Sequence, residues 1–255
     1  HQRLGGWMLD VHHVYDPVGK VLLLGDGQRV DASSLHATIT TVAGGGTGLL
    51  EGKPATDVSL SSPSGVIPTP EGGFYLTDFH FIRHVDPRGV ITTVAGGLDA
   101  HNIGDGIPAL GAYLVSPSHV ALDADGNLYV SDSGSHRIRK ISADGLIATV
   151  AGTGVAGFNG DDRPAIEAQL SSPAGIAFAG DGALYIADTS NHRIRRLGTN
   201  GVLTTVLGTG ITNWDSVSAE EGVRATEASV FYPSHVALDD RGNVYFTDLH
   251  YPYQG

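Results

Sequence analysis

The sequence contains no cysteine, a single methionine and two tryptophans among its 255 residues. Without cysteine, neither a disulfide framework nor a thiolate metal site can form. Charged residues make up only 16 % of the chain, and the formal net charge of −12 argues against a nucleic-acid partner, because a phosphate-binding surface must be basic. No apolar run approaches the roughly 18 residues that a membrane span requires. The opening segment HQRLGGWMLD lacks an initiator methionine and the apolar part of a signal peptide, so we expect the chain to be a piece of a longer or processed protein.

Glycine is abundant instead, with 36 residues, and it punctuates a repeat. The prolines that open successive units, Pro63, Pro117, Pro173 and Pro233, are 54, 56 and 60 residues apart, and an aspartate follows each proline by 15 residues. Within a unit, short apolar segments such as HVALD, LYVSD, RIRKI and IATVAG alternate with turns containing Gly, Asp or Asn. Four antiparallel strands in about 50 residues describe one blade of a β-propeller.

Two further units are less regular. The segment HHVYDPVGKVLLLGDG aligns with HVALDADGNLYVSDSG, which adds a first blade, and the fifth unit contains only its first two strands. The sequence therefore predicts an all-β, single propeller domain over residues 1–255, with five blade repeats of which the last is incomplete, derived from a six-bladed parent. Between blades, we expect a short helical turn that places Leu60, Leu114, Leu170 and Val230 beneath the following blade.

The pattern DGNLYVSDSGSHRIRKISADGLIATVAGTG resembles the NHL repeat, and the resemblance extends over nearly the whole chain. The opening LGGWMLDVHHVYDPVGKVLLLGDGQR is similar to the segment that precedes the NHL propeller of YD-repeat proteins of the Rhs and teneurin-like kind. That resemblance implies an extracellular or cell-surface location and a propeller that is one domain of a large polypeptide. It also implies a non-catalytic module whose rim or channel opening binds a protein or a glycan.

One position of the repeat alternates between histidine and glycine. The five blades place His12, Gly65, His119, Gly175 and His235 where the innermost strand begins. In a six-bladed ring, alternate blades are about 120° apart, so three imidazoles at this position converge on the axis. Three histidines with an open fourth position are the ligand set of catalytic zinc, and the resemblance to the propeller of peptidyl-hydroxyglycine amidating lyase implies the same layout. The alternative is that these histidines line the channel and hydrogen-bond the backbone.

A metal at His12, His119 and His235 predicts metal-assisted hydrolysis or lyase chemistry on a small substrate at the channel opening. Zinc is the first expectation and copper, which would favour oxidation, the second. Calcium is not expected, because the loop carrying Asp161 and Asp162 does not supply the six or more oxygen ligands that it needs.

Other polar residues fall in the turns between the second and third strands. His80 and His250 depart from the repeat pattern and are candidates for contacting a ligand, and Tyr251, near the end of the sequence, is a candidate for closing the pocket, with packing as the alternative. His136 and His192 belong to the repeated H-R element and are expected to be structural. We expect the repeated aspartates to cap their own turns; these are Asp78, Asp132, Asp188 and Asp248. Because the last repeat is incomplete, its open strand edge predicts self-association or completion by a missing C-terminal blade.

Overall fold

A computed structural model describes residues 13–16, 21–24, 28–31, 39–48, 51–211 and 222–248. Within these residues, the strands form five sheets in chain order, which we call blades 1 to 5. None of the helices in the described part of the chain is long and apolar enough to cross a membrane. The sheets bear out the all-β propeller class predicted from the repeat.

Blade 1 is the irregular first unit. Its four strands pair antiparallel in sequence order, with His13 opposite Leu24 and Val21 opposite Asp31. The strands are β1 (His13–Asp16), β2 (Val21–Leu24), β3 (Gln28–Asp31) and β4 (Ile39–Thr41). The segment that the alignment added to the repeat therefore forms a four-stranded antiparallel sheet of its own.

Blades 2, 3 and 4 each contain the four predicted strands and a fifth strand of two residues. The fifth strand comes from the segment before the blade and pairs with its outermost strand, as Ile107 does with Ile147 in blade 3. It therefore covers part of an edge whose backbone groups would otherwise need other partners. The strands of blade 2 are β5 (Lys53–Pro54), β6 (Pro63–Pro68), β7 (Phe74–Asp78), β8 (Phe81–Val85) and β9 (Val90–Gly96). Those of blade 3 are β10 (Ile107–Pro108), β11 (Pro117–Leu122), β12 (Leu128–Asp132), β13 (Arg137–Ile141) and β14 (Leu146–Ala151). Those of blade 4 are β15 (Arg163–Pro164), β16 (Pro173–Phe178), β17 (Leu184–Asp188), β18 (Arg193–Leu197) and β19 (Val202–Leu207).

Blade 5 is a hairpin among the described residues, with strands β20 (His235–Leu238) and β21 (Val244–Thr247). The turn between its strands shows how the repeat folds locally. The Asp239 carboxylate accepts the backbone N–H groups of Arg241 and Asn243, and Gly242 has a φ of +81°. This is the aspartate–glycine turn that the sequence pattern predicts.

Short 3₁₀ turns occur at two places in the repeat. One set lies between blades, at Ala55–Asp57, Ala165–Glu167 and Ala225–Glu227, and the other follows the second strand, at Ser133–Ser135 and Thr189–Asn191. The apolar residue after the first kind is buried as predicted: Leu170 is fully buried and packs with Ile176 and Leu184 of blade 4. Leu114 and Val230 are buried as well, and the partly buried Leu60 packs against its own apolar cluster.

The chain divides into two compact units. The first comprises His1–Leu76 and His84–Thr92, and the second comprises Thr77–Arg83 and Thr93–Gly255. Blade 1 lies in the first unit, and blades 3, 4 and 5 lie in the second. The described residues of the candidate site, His119 and His235, lie in the second unit, and the prediction of one domain over the whole chain stays a prediction.

Candidate functional site

Two of the three predicted metal ligands lie next to each other. His119 is on β11, the innermost strand of blade 3, and His235 begins β20 of blade 5. The centres of their imidazole rings are 5.9 Å apart, and the ring planes are nearly perpendicular at 81°. Although they are two blades apart in the repeat, the two rings lie close together in space.

Gly175 of blade 4 makes this approach possible. Its N–H donates to the carbonyl of Ser234 at 2.8 Å, so the backbone of blade 5 lies directly against it. A Cβ built on Gly175 would lie 2.6 Å from the Cα of His235 and 2.8 Å from the oxygen of Ser234. Glycine therefore stands here because neighbouring backbone occupies the place of a side chain, and His119 reaches His235 across this position.

The Nδ1 atoms of both imidazole rings lie close to polar groups of the neighbouring chain. The N–H of Ile176 points to Nδ1 of His119 at 3.5 Å, the long limit of a hydrogen bond. Nδ1 of His235 lies 3.2 Å from Oγ of Ser234 and 3.3 Å from Oγ1 of Thr247. Each histidine thus touches the polar groups at the start of an innermost strand.

Hydroxyl groups surround the two histidines and join neighbouring blades. In blade 3, Oγ of Ser118 lies 3.1 Å from Oγ of Ser131 and 2.7 Å from Oγ of Ser133, and Ser133 donates to the carbonyl of Pro173 in blade 4. In blade 4, Thr189 repeats the last contact by donating to the carbonyl of Pro233 at 2.7 Å. The start of the inner strands is consequently a polar surface.

The third predicted ligand, His12, lies outside the described residues. Among the residues that the structure describes, no group of three His, Cys, Asp or Glu side chains is placed to hold a metal ion. His119 and His235 are therefore the two members of the predicted site that lie within the described residues, and the three-histidine set stays a prediction.

Of the predicted ligand-contacting residues, His80 is described, and His250 and Tyr251 lie outside the described residues. Nδ1 of His80 donates to the carbonyl of Leu114 at 2.7 Å, and Nε2 lies 3.3 Å from the hydroxyl of Tyr113. The ring is also packed between Phe79 and Tyr113, at centre distances of 3.8 and 4.7 Å. These contacts give His80 a role in attaching blade 2 to the segment that leads into blade 3.

His136 and His192 have the structural role that the repeat predicts. Both adopt a left-handed backbone conformation, and Nδ1 of each accepts the N–H of the residue before the next blade's proline, Ser172 at 3.0 Å and Tyr232 at 3.2 Å. Burial, followed by the charge of Arg193, lowers the pKa of His192, so the neutral ring keeps the lone pair that this bond needs.

For Asp132 and Asp188, the prediction that the repeated aspartates cap their own turns through backbone N–H groups is wrong. No side-chain cap is made by Asp132 or Asp188 at the 3₁₀ turn that follows it. Their carboxylates instead accept the N–H of a residue 17 positions earlier, Val115 at 2.6 Å and Ser171 at 2.8 Å. Both carboxylates are fully buried and bond the backbone of the incoming segment of the same blade, and Asp188 also accepts a hydrogen bond from the side-chain amide of Asn191 in its own turn at 2.8 Å.

Sequence reasoning also missed the partners of these aspartates. Arg139 and Arg195, the second arginine of each R-I-R segment, are almost completely buried. Arg195 lies 3.2 Å from Asp188 and 3.0 Å from Asp161 of the loop before the blade. Blade 3 repeats the arrangement, with Arg139 3.8 Å from Asp132 and 2.8 Å from Asp105. The sequence signal for these pairs was an R-x-R segment that recurs at a fixed distance after an aspartate at the end of the preceding strand. Because side chains alternate along a strand, both arginines of R-x-R face one side of the sheet and the residue between them faces the other.

Burial dominates the electrostatics of these aspartates. It raises the pKa of Asp188 to about 6, although the bonds from Asn191 and Ser171 and the charge of Arg195 act in the opposite direction. Burial likewise raises the pKa of Asp132. Asp161 is committed to Arg195 and to the hydroxyl of Thr205 at 2.9 Å, so its carboxylate serves this ion-pair network.

The fold and the repeat define the chain as an NHL-type β-propeller. A Bacteroides thetaiotaomicron protein of unknown function has a similar fold, with a TM-score of 0.65 at 18 % identity over 92 % of this chain and 56 % of that chain.

The particular relationship is to teneurins. The family described as the Teneurin NHL domain matches residues 96–157 and 155–213. Teneurin-1 of Gallus gallus is 30 % identical over 94 % of this chain, and Teneurin-1 of Mus musculus is 29 % identical over 94 %. The chain spans about a tenth of their length, 9 % in both cases. The chain therefore carries NHL repeats that resemble the NHL domain of teneurins, as its motifs predict.

Proposed function

We propose that this propeller binds one divalent transition metal through His119 and His235. The main observation that supports this proposal is the 5.9 Å separation of the two imidazole ring centres. With metal–nitrogen bonds of about 2.0–2.1 Å, two imidazoles on one metal have ring centres about 5.2 Å apart at a tetrahedral angle and about 6.4 Å apart when the two bonds are collinear. The observed separation lies between these two values, so the rings must approach each other by less than about 1 Å to reach tetrahedral geometry.

The surroundings of the rings support the same function. Metal-bound histidines usually donate their other N–H to an oxygen, which fixes the tautomer. Ser234 and Thr247 offer such oxygens to Nδ1 of His235, which directs Nε2 to the metal. The 3.5 Å contact of Nδ1 of His119 is long enough for its loss on metal binding to cost little.

Zinc is the first candidate for this site and copper the second, because imidazole suits both. His12 remains the predicted third ligand. Bound zinc would lower the pKa of its water to about 7 and polarise a carbonyl group, which is the chemistry of a metal-assisted hydrolase or lyase acting on a small molecule.

Isothermal titration of the metal-free 255-residue chain with zinc chloride, paired with elemental analysis after dialysis, tests the site. We expect close to one metal per chain in the wild type, and loss of binding in His119→Ala and His235→Ala. His101→Ala is the matched control, because its imidazole is exposed and bonded to Asp99. Undiminished occupancy in the two site variants would refute the assignment, and a weaker affinity in His12→Ala would identify the third ligand.

A second candidate function is that of an extracellular, non-catalytic interaction module. It is favoured by similarity to teneurins along 94 % of the chain and by apolar side chains exposed at equivalent repeat positions. Leu110 and Ile166 each follow the alanine that recurs in the segments between blades, and their exposed fractions are 61 % and 60 %. Two such side chains at one repeat position offer an apolar surface for a second copy of this chain.

Multi-angle light scattering tests this candidate. We expect a dimer or larger species in the wild type, and a shift towards monomer when Leu110→Glu and Ile166→Glu are combined. Thr226→Glu is the control, because Thr226 occupies the same repeat position, is exposed and lacks the apolar side chain. A wild-type chain that is monomeric at high concentration would exclude self-association by this surface.

A further inference from the structure

The hairpin of blade 5 is held to the rest of its unit mainly along one side. Val236 is buried in a cluster with Ala187 and Ile194 of blade 4. Three hydrogen bonds add to this contact: from Gly175 N–H to Ser234, from Thr189 to Pro233, and from Tyr232 N–H to His192. Most of these contacts involve β20 or the residues that lead into it, and β21 adds the partly buried Val244, which packs against the same cluster.

The second strand of the hairpin is exposed where the equivalent strands are buried. Phe246 is 36 % exposed, whereas Val130 and Ile186, at the same repeat position, are fully buried. Tyr245 is 58 % exposed. A segment with few buried contacts opens locally at a lower free energy than the core strands do. Among the described strands of this unit, β20 and β21 are therefore the most prone to local opening.

We infer that metal binding fastens this hairpin to blade 3 and so controls its local opening. This inference rests on the proposed metal site. His119 belongs to the fully formed sheet of blade 3, and His235 is the first residue of the hairpin. A metal shared by the two rings links blades 3 and 5 directly, past Gly175 of blade 4. The hairpin cannot leave blade 4 without breaking one of the metal–nitrogen bonds.

The expected slowing of amide exchange in the hairpin follows from the coupling between metal binding and local opening. When a ligand binds the closed state and not the open one, it lowers the population of the open state by the factor 1 + [L]/Kd. At a free zinc concentration of 100 Kd, amide exchange through opening of the hairpin slows by about 100-fold. Amides that exchange by other openings, such as those of β17 and β18, are unaffected until the whole unit unfolds.

Hydrogen–deuterium exchange of the full chain, with and without zinc chloride at about 100 times the Kd measured by titration, tests this inference. We expect slowing on the order of 100-fold in peptides covering β20 and β21, and little change in peptides covering β17 and β18. His119→Ala alters blade 3 and leaves the hairpin sequence intact, so it should abolish the slowing. His119→Gln, which keeps a polar side chain there, repeats the comparison if the alanine variant does not fold, and His101→Ala should respond as the wild type does.

The outcomes separate this inference from the proposed function. Zinc that binds in the titration without slowing exchange in the hairpin would overturn the inference and leave the metal site standing. Equal slowing in all strands would also overturn it, because the metal would then stabilise the whole unit rather than the hairpin. No binding in the titration would remove the proposed site and the inference with it.

Discussion

Replacing Gly175 by alanine tests the geometry on which the site depends. The new Cβ would lie 2.6 Å from the Cα of His235, 2.8 Å from the oxygen of Ser234 and 3.0 Å from the nitrogen of Val236. All three atoms belong to the backbone, so no side-chain rotation relieves the contacts and the hairpin must move. Overpacking of this kind costs about 1–3 kcal/mol. The displacement also separates His235 from His119, so zinc affinity should fall.

Urea denaturation followed by far-UV circular dichroism measures the loss of stability, and zinc titration measures the loss of affinity. Gly180→Ala is the matched control, because no heavy atom lies within 4 Å of the added Cβ and the backbone there does not have the positive φ that disfavours alanine. A glycine-to-alanine change at such a site stabilises by about 0.4–1 kcal/mol. If Gly175→Ala unfolds at the same urea concentration as the wild type, the close approach of blades 4 and 5 is refuted.

Three further predictions concern buried polar groups of the same unit. Asp188→Asn should remove a pH dependence of the unfolding free energy. The pKa of Asp188 is about 6 in the folded chain and about 3.9 in the unfolded chain. The stabilising contribution of this group is therefore fully present below about pH 4 and is lost as the pH rises through about 6. Wild-type unfolding free energy should therefore fall by about 2 kcal/mol more than that of the variant between pH 4 and pH 7, and parallel profiles would contradict the assignment. Arg195→Ala leaves the Asp188 carboxylate buried without its cation, which should cost about 3–5 kcal/mol in urea denaturation at pH 7, and a loss below 1 kcal/mol would show that Asp188 does not depend on this arginine. Thr189→Val keeps the shape of the side chain and removes the donor to the Pro233 carbonyl, so we expect a loss of about 0.5–1.5 kcal/mol and faster amide exchange in the hairpin; unchanged exchange would mean that this bond does not hold the hairpin.

Local signals in the sequence were sufficient for the architecture. Short apolar segments separated by aspartate–glycine turns specify strands and hairpins, because the period of two and the turn chemistry act over only a few residues. The recurrence of proline and aspartate at a fixed spacing of 15 then aligned the two-stranded blade 5 with the complete blades, and Gly19 and Asp26 aligned the irregular blade 1. The burial of Leu170 beneath its blade followed from the same register.

The two-residue outer strands had no comparable signal. Ile107–Pro108 and Arg163–Pro164 are too short to show a period, and their pairing depends on how the chain passes the outer edge of the next blade. The ion-pair networks were hidden for a related reason. Asp161 and Arg195 are 34 residues apart, and the sequence alone offers no reason to bring that loop to that strand.

For the histidine site, too, the sequence predicted one part and the tertiary structure decided the other. The sequence by itself determined that His119 and His235 occupy one repeat position in blades 3 and 5, with Gly175 between them, because a repeat fixes which residues are equivalent. Only the tertiary structure decided that the two rings approach to 5.9 Å, because that distance depends on how closely the backbones of blades 4 and 5 pack at Gly175. The repeat in the sequence specifies which residues of different blades are equivalent. The distance between neighbouring blades is set by the volume of the side chains packed between them, and Gly175 has no side chain at this position.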